Sequence, residues 1–506
     1  MASRKSVAPA PLPRGSSPER ASSAAQGVDS ADAAAPAAKG PSKWSVFVVV
    51  AIGVLMATLD SSIVNISLPT LARVFARPLN GALQWVVIAY LLVIVALLLT
   101  AGRLGDMLGR KPIWQAGLCL FTLGSALCGA SSSIRALIAA RALQGVGAAL
   151  LMALSPALLT AAFPAAERGR ALGMNALTVA VGVSTGPPLG GIITERLSWR
   201  WIFFINVPLG MLGIVLATRL LPRSARSATR FDLPGAALLA LALATTTFAL
   251  SFAHQLGYRS KLLLGSVLLG AVAWAGFWAH ERRAAAPIVD LALLQNPTFR
   301  SALSSLVLSF LALFGVAFLT PFYLEQLRLL GTERSGLMML AYPLVIAVVS
   351  PFTGSLSDRI GSRLLAPLGL TLASVALFLL GLVGEHTPLP YVAACLSLGG
   401  LAQALFQPAN NSTLLGAAPR DRQGLAGSLL ATGRVLGQSL GIALAGAVFA
   451  GLGGARAGQE LLKAPSEPAL VRSFLLAFRG ALWVSASCAL LGALLLVRHA
   501  RRARRA

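Results

Sequence analysis

Charge-free apolar runs recur along this chain, separated by short clusters of charge. They are 44–59 with 61–72 (broken only by Asp60), 78–102, 112–134, 142–166 (led in by Arg141), 171–194 and 201–218. They continue as 233–258, 262–280, 301–324, 335–357, 364–384, 386–419, 423–433 with 435–455 (broken by Arg434), and 480–497. A hydrocarbon core roughly 30 Å thick takes about 20 apolar residues of helix to cross. The pattern predicts an all-α integral membrane protein with fourteen spans.

Two loops between runs resemble each other. Gly102-Arg-Leu-Gly-Asp106-Met-Leu-Gly109-Arg110-Lys111 is matched by Gly354-Ser-Leu-Ser-Asp358-Arg-Ile-Gly361-Ser-Arg363, 252 positions later. Pro156 and Pro408 share that offset, each ahead of an acidic-basic turn. The first loop follows helix 2 and its partner follows helix 10, so the second half begins at helix 9. The expected organisation is a disordered cytoplasmic tail at 1–43, a six-helix bundle at 44–220 and two inserted helices at 221–298. A second six-helix bundle at 299–497 and a basic cytoplasmic tail at 498–506 complete it. Parallel repeats about an axis along the membrane normal are a transporter architecture, with the substrate site between the halves. The plainer alternative is a duplicated bundle with no transport role.

Composition changes this picture little. Charged residues are 12% of the chain, about half the usual share of a soluble domain. The net charge of +25 would suggest nucleic acid in a soluble protein. Here 27 of the 42 Lys and Arg fall on loops and tails that face the cytoplasm if the N-terminus does, against 13 on the other side. That asymmetry follows the positive-inside rule and places both termini in the cytoplasm. Nucleic acid is not an expected partner. The first 42 residues are too long and polar, and the first span too long, for a secretory signal. Cys119, Cys128, Cys395 and Cys488 all fall within spans and lack metal-ligand spacing; no metal is expected.

Ionisable groups inside spans are costly and mark function by default. Asp60 in helix 1, Arg141 in helix 4 and Arg434 in helix 13 are such groups. At 1.5 Å per residue, Asp60 lies about 24 Å and Arg141 about 20 Å from the inner side. The two lie within about one helical turn of the same height if helices 1 and 4 are neighbours. A carboxylate balanced between desolvation and a nearby guanidinium can exchange protons, and movement of the guanidinium would switch its proton affinity. The alternative is a static ion pair that fixes packing. In helix 5, Gly182, Gly186, Pro187, Gly190 and Gly191 allow close helix contact and bending, read as a gate or as packing alone. Asp106 with Arg110 and Lys111, and Asp358 in the second loop, read as a charge lock between halves or as a topogenic surface turn.

The chain resembles the major facilitator superfamily, in its fourteen-span drug:proton antiporter branch. The Gly102–Lys111 loop looks like the signature loop of that superfamily. Leu59-Asp60-Ser-Ser-Ile-Val-Asn65-Ile-Ser-Leu-Pro69 is similar to the branch's helix 1 motif, and so are Gln84-Trp85 with Tyr90, and Arg141-Ala-Leu-Gln144-Gly145-Val-Gly147. Gly182–Gly191 resembles the antiporter motif of helix 5. Trp199-Arg-Trp-Ile-Phe-Phe-Ile-Asn206-Val-Pro208, and Gly424 with Arg434 and Gly437 to Gly441, also fit. Pro188 departs from the usual aliphatic residue. Glu325 departs from an amide and reads as a second titratable group or as an interfacial residue, the latter being favoured.

The resemblance implies two major-facilitator bundles plus two inserted helices, and efflux of small amphipathic compounds from a bacterial cytoplasmic membrane. The proton gradient would be the energy source, with no cofactor. It carries proton or substrate coupling onto Asp60 and Arg141, and gating onto Asp106. Asn65, Trp85, Tyr90, Gln144, Phe314, Phe406 and Arg434 are the expected cavity residues. Expected partners are protons, lipid and the substrate; a periplasmic adaptor leaves no mark in the sequence. An importer on the same fold is the runner-up. No phosphate-binding loop, His-Glu-x-x-His or nucleophile elbow is present, so an enzyme or ATP-driven pump is not expected.

Overall fold

The computed structural model describes residues 42–76, 81–164, 167–222, 232–257, 259–284, 291–419, 423–464 and 467–505. The tail expected at 1–43 lies outside these but for its last two residues. No strand occurs among the described residues. The first half comprises α1 (Lys43–Val74), α2 (Gly81–Leu108), α3 (Arg110–Ala130), α4 (Ile134–Ala162), α5 (Arg168–Arg196), α6 (Trp201–Phe204) and α7 (Asn206–Leu220). A hairpin follows, α8 (Leu233–Leu256) and α9 (Lys261–Glu281), then the short α10 (Leu291–Gln295). The second half comprises α11 (Pro297–Phe322), a π-helical turn (Tyr323–Leu327), α12 (Thr332–Met339), α13 (Ala341–Ile360), α14 (Ser362–Leu380) and α15 (Leu389–Gly416). It ends with α16 (Gln423–Gly451), α17 (Gly454–Leu461) and α18 (Pro468–Arg505).

By length and composition, thirteen described helical segments can cross a membrane, and the apolar stretch Ala82–Leu98 within α2 supplies a fourteenth. This is a multi-pass membrane protein. Helices continue through their polar interruptions: α1 passes Asp60 and Pro69, and α16 passes Arg434. The apolar block expected to end at 455 instead breaks at Gly453, a left-handed glycine that caps α17. The basic tail is helical to Arg505 as a continuation of α18, in keeping with the high helix propensity of Ala and Arg.

Glycine spacing sets the helix pairs. On α5, Gly182, Gly186 and Gly190 sit one turn apart against Thr58, Ser62 and Ile66 of α1. Small residues at four-residue spacing let two backbones approach. On α16, Gly433, Gly437 and Gly441 do the same against α11. The repeat is visible in the backbone as well. Gly109 and Gly361 both precede a helix at φ 100° and 91°, with ψ 137° and 139°. A side chain would be strained there.

The end at which α1 begins is here the near end. The halves meet at the far end. There Gly191 of α5 packs on the Thr332 carbonyl, Gly336 of α12 packs on the Pro187 carbonyl, and Gly446 of α16 packs on Gln84 of α2. At the near ends of these helices, a Cβ at Gly102 or Gly427 would meet nothing within 4 Å. The halves are thus in close contact at the far end, whereas neither Gly102 of α2 nor Gly427 of α16 has a described neighbour at the near end. The α8–α9 hairpin lies along that seam, with α8 against both α2 and α16.

Candidate functional site

Asp60 is fully buried where α1, α4 and α7 meet. The Arg141 guanidinium pairs with its Oδ2 through Nη1. Gln144 Nε2 donates to Asp60 Oδ1 at 2.8 Å, and Asn206 Nδ2 donates to the same oxygen at 3.3 Å. Arg141 is held in turn: its Nε donates to the Val86 carbonyl at 2.9 Å and its Nη1 to Gln144 Oε1 at 2.6 Å. The guanidinium lies over the Tyr90 ring, 4.1 Å from the centroid, and Tyr90 donates its hydroxyl to the Ala57 carbonyl at 2.8 Å. Gln144 Nε2 also reaches Ser125 Oγ on α3 at 2.7 Å.

The similar heights of Asp60 and Arg141 thus become a contact. A charge pair with every carboxylate oxygen engaged is the arrangement that makes burial of two ions tolerable. Arg141 Nη2 and Asn206 Oδ1 are buried without a hydrogen bond. The whole cluster lies inside the first bundle, with Ser125 and Asn206 on α3 and α7. Tyr90 and Gln144, expected to line the substrate cavity, are members of this charge cluster. Ser125 was not singled out from the sequence. Asn206 was, but only as part of a motif; its polarity at the head of an apolar helix was the available signal.

The second bundle does not repeat this chemistry. At 252 positions on, Asp60, Ser125 and Gln144 become Ala312, Leu377 and Leu396, while Tyr90 becomes Tyr342. All four line one pocket between α11, α13, α14 and α15. Where one half holds a buried ion pair, the other holds an apolar cavity beneath the same tyrosine.

Other expected cavity residues divide. Trp85 is directed at the inserted hairpin, stacking on Phe252 at 6.4 Å and meeting Phe248 edge-on. Phe406 is buried against Gly369 inside the second bundle, because α14 and α15 approach closely there. Asn65 is buried in α1, its Oδ1 without a partner. Phe314 and Arg434 come together through Phe310, which the sequence did not single out. Arg434 lies 5.4 Å above the Phe310 ring, and Phe310 contacts Phe314 at 6.4 Å.

The gating residues also divide. Gly182, Gly186 and Gly190 pack within the first bundle, whereas Pro187 and Gly191 touch the second. Lys111 makes no contact between the halves in this state: its Nζ donates to the Thr218 and Leu221 carbonyls, at 2.8 and 2.7 Å, at the end of α7. A cation there complements the helix dipole. Arg110 Nη1 donates to the Ala157 carbonyl of α4 at 3.2 Å. The side chains of Asp106 and Asp358 lie outside what is described.

Glu325 is buried rather than interfacial, because the π-helical turn after α11 carries it inward. Its Oε2 pairs with Arg73 of α1 at 3.3 Å and accepts from the Thr332 hydroxyl at 3.3 Å. Beside it, Arg196 of α5 makes two hydrogen bonds to the Glu333 carboxylate of α12, at 2.9 and 2.7 Å.

The profile described as Major Facilitator Superfamily matches residues 50–331 and 302–506. The chain is 34% identical to the riboflavin transporter RibZ of Clostridioides difficile over 462 residues, covering 91% of this chain and 98% of that protein. It is 35% identical to the multidrug resistance protein Stp of Mycobacterium tuberculosis over 401 residues, covering 79% and 74%. The methylenomycin A resistance protein of Bacillus subtilis is 31% identical, with 80% and 87% covered. Among solved structures, an inward-facing, unoccupied bacterial homologue of the lysosomal transporter Spinster superposes with a TM-score of 0.65. It is 16% identical, with 91% of this chain and 97% of that chain covered.

Proposed function

The chain belongs to the major facilitator superfamily, and on that premise we propose that it is a proton-coupled antiporter that exports small amphipathic molecules by alternating access. The observation that carries this is the buried Asp60–Arg141 pair. It is a carboxylate that can take or release a proton, placed on the helix that forms the gate. Asp60 shares α1 with Thr58, Ser62 and Ile66, which face the glycine stripe of α5. Ser62 Oγ donates to the Gly182 carbonyl at 3.2 Å. At the far end α1 and α5 carry Arg73, Gly191 and Arg196, all in contact with the second half.

A proton on Asp60 removes the charge that anchors Arg141. The pair then relaxes, α1 shifts against α5, and the far-end contacts open. Release of the proton re-forms the pair and closes them. In this reading the protein sits in a bacterial cytoplasmic membrane with both termini inside, so the far end faces outward. A potential of 100 mV adds about 2.3 kcal/mol per proton charge moved. The proton gradient is the energy source and no cofactor takes part.

A second reading is uptake of a metabolite with protons, favoured by the near-complete match to a relative named a riboflavin transporter. Flux in vesicles under an imposed pH gradient separates the two. Export predicts substrate moving against the proton flow, uptake predicts movement with it.

A further inference from the structure

Two arginines lie deep in spans, and their surroundings differ. Arg141 has a carboxylate, a carbonyl, an amide oxygen and an aromatic face. Arg434, on α16, has among the described residues only the face of Phe310. Its Nε is buried without an acceptor, and among the described residues no carboxylate pairs with it. An unpaired cation inside a membrane protein is costly, and such groups face a pathway or a partner. Breaking a buried pair by removing one member is strongly unfavourable for the same reason. Something that visits the site must supply the counter-charge.

Position identifies the visitor. Arg434 is seven residues beyond Gly427, close to two full helical turns, so the two share a face of α16. A Cβ at Gly427 would meet no described atom within 4 Å, and Arg434 itself is only partly buried. The residue is therefore not sealed inside the bundle. Phe310 and Phe314 lie beside it and present apolar rings. A guanidinium with a free Nε edge matches a carboxylate in a two-point hydrogen-bonded geometry.

We propose that Arg434 is the anion-recognition residue of the substrate path, and that the transported molecules are organic anions pairing an aromatic body with a carboxylate. The proposal rests on the transporter reading above but not on the direction of transport or on proton coupling.

Fluorescein and rhodamine 6G share a xanthene ring system and differ in charge. Their equilibrium binding to the full chain in phosphatidylcholine nanodiscs, with no gradient imposed, tests the proposal. The wild type binds fluorescein at least tenfold more tightly than rhodamine 6G. Arg434→Gln removes that preference, and Arg434→Lys retains part of it. Phe310→Leu, which leaves the charge in place, weakens both dyes a few-fold and keeps the anion preference, so a folding defect in Arg434→Gln does not remove the test. Equal binding of the two dyes to the wild type, or an unchanged preference in Arg434→Gln, overturns the proposal. Displacement of fluorescein by added phosphatidylglycerol would assign the site to a lipid headgroup and also overturn it. Because no gradient is present, a failure of proton coupling leaves these outcomes intact.

Discussion

Arg73 and Glu325 form an ion pair at 3.3 Å, and they stand 252 positions apart, the offset of the internal repeat. Residues at equivalent positions of a two-fold repeat can touch only close to the axis that relates them. The pair therefore marks where that axis leaves the far end of the bundle. Its members are not equivalent in setting: the Glu325 side chain is 4% exposed and that of Arg73 51%. Around them lie Thr332, Glu333 and Arg196, so the far end is held by a cluster of charges on α1, α5, α12 and the π-helical turn.

Loss of this pair is expected to loosen the far end. In Glu325→Gln, a cysteine placed at the buried Ser335 reacts with a membrane-impermeant maleimide at least threefold faster than in the parent. Arg73→Gln has the larger effect on stability, because it strands a buried carboxylate, whereas the solvent-facing Arg196–Glu333 pair contributes little. Labelling rates and melting curves of the two variants read both expectations.

The glycines of α5 divide into two sets with different failures. A Cβ at Gly191 would lie 2.5 Å from the Thr332 carbonyl of the other half. Gly191→Val therefore prevents far-end closure and lowers transport at least tenfold with little change in melting temperature. A Cβ at Gly186 would lie 2.9 Å from the Ile63 amide nitrogen within the first bundle. Gly186→Val separates α1 from α5 and lowers the melting temperature by several degrees. Parallel flux and melting measurements separate the two; equal melting losses would contradict the division.

Tyr90 and Arg141 differ in what they tolerate. Tyr90→Phe loses one hydrogen bond to Ala57, about 1 kcal/mol, and keeps the ring beneath the guanidinium; transport stays within about threefold of the parent. Arg141→Lys loses the planar geometry that reaches Asp60, Val86 and Gln144 together, and transport falls at least tenfold. Matched flux assays check the contrast.

How much of this was legible in the sequence depends on what carried the signal. The spans were legible because apolar runs of membrane length are rare by any other cause. Asp60 and Arg141 were legible because an ionisable group stands out in such a run, and a rise of 1.5 Å per residue set their heights. Rotation about the helix axis was not legible. It directs Trp85 at the inserted hairpin and Tyr90 beneath Arg141, and both choices depend on neighbours far away in sequence. The inward setting of Glu325 was not legible because Tyr323–Leu327 contains no proline or glycine to announce a π-helical turn. The 252-residue offset was legible from the loop motif, but the exchange of the Asp60 cluster for the pocket around Ala312 appears only once the two bundles are compared residue by residue.

The central claim is that Asp60 couples protons to transport, and Asp60→Asn tests it most directly. The variant keeps an oxygen to accept from Arg141 but has no charge to titrate. In proteoliposomes it is expected to insert and fold, to exchange substrate across the membrane without a gradient, and to lose transport driven by an imposed pH gradient. Full gradient-driven transport by Asp60→Asn would contradict the account.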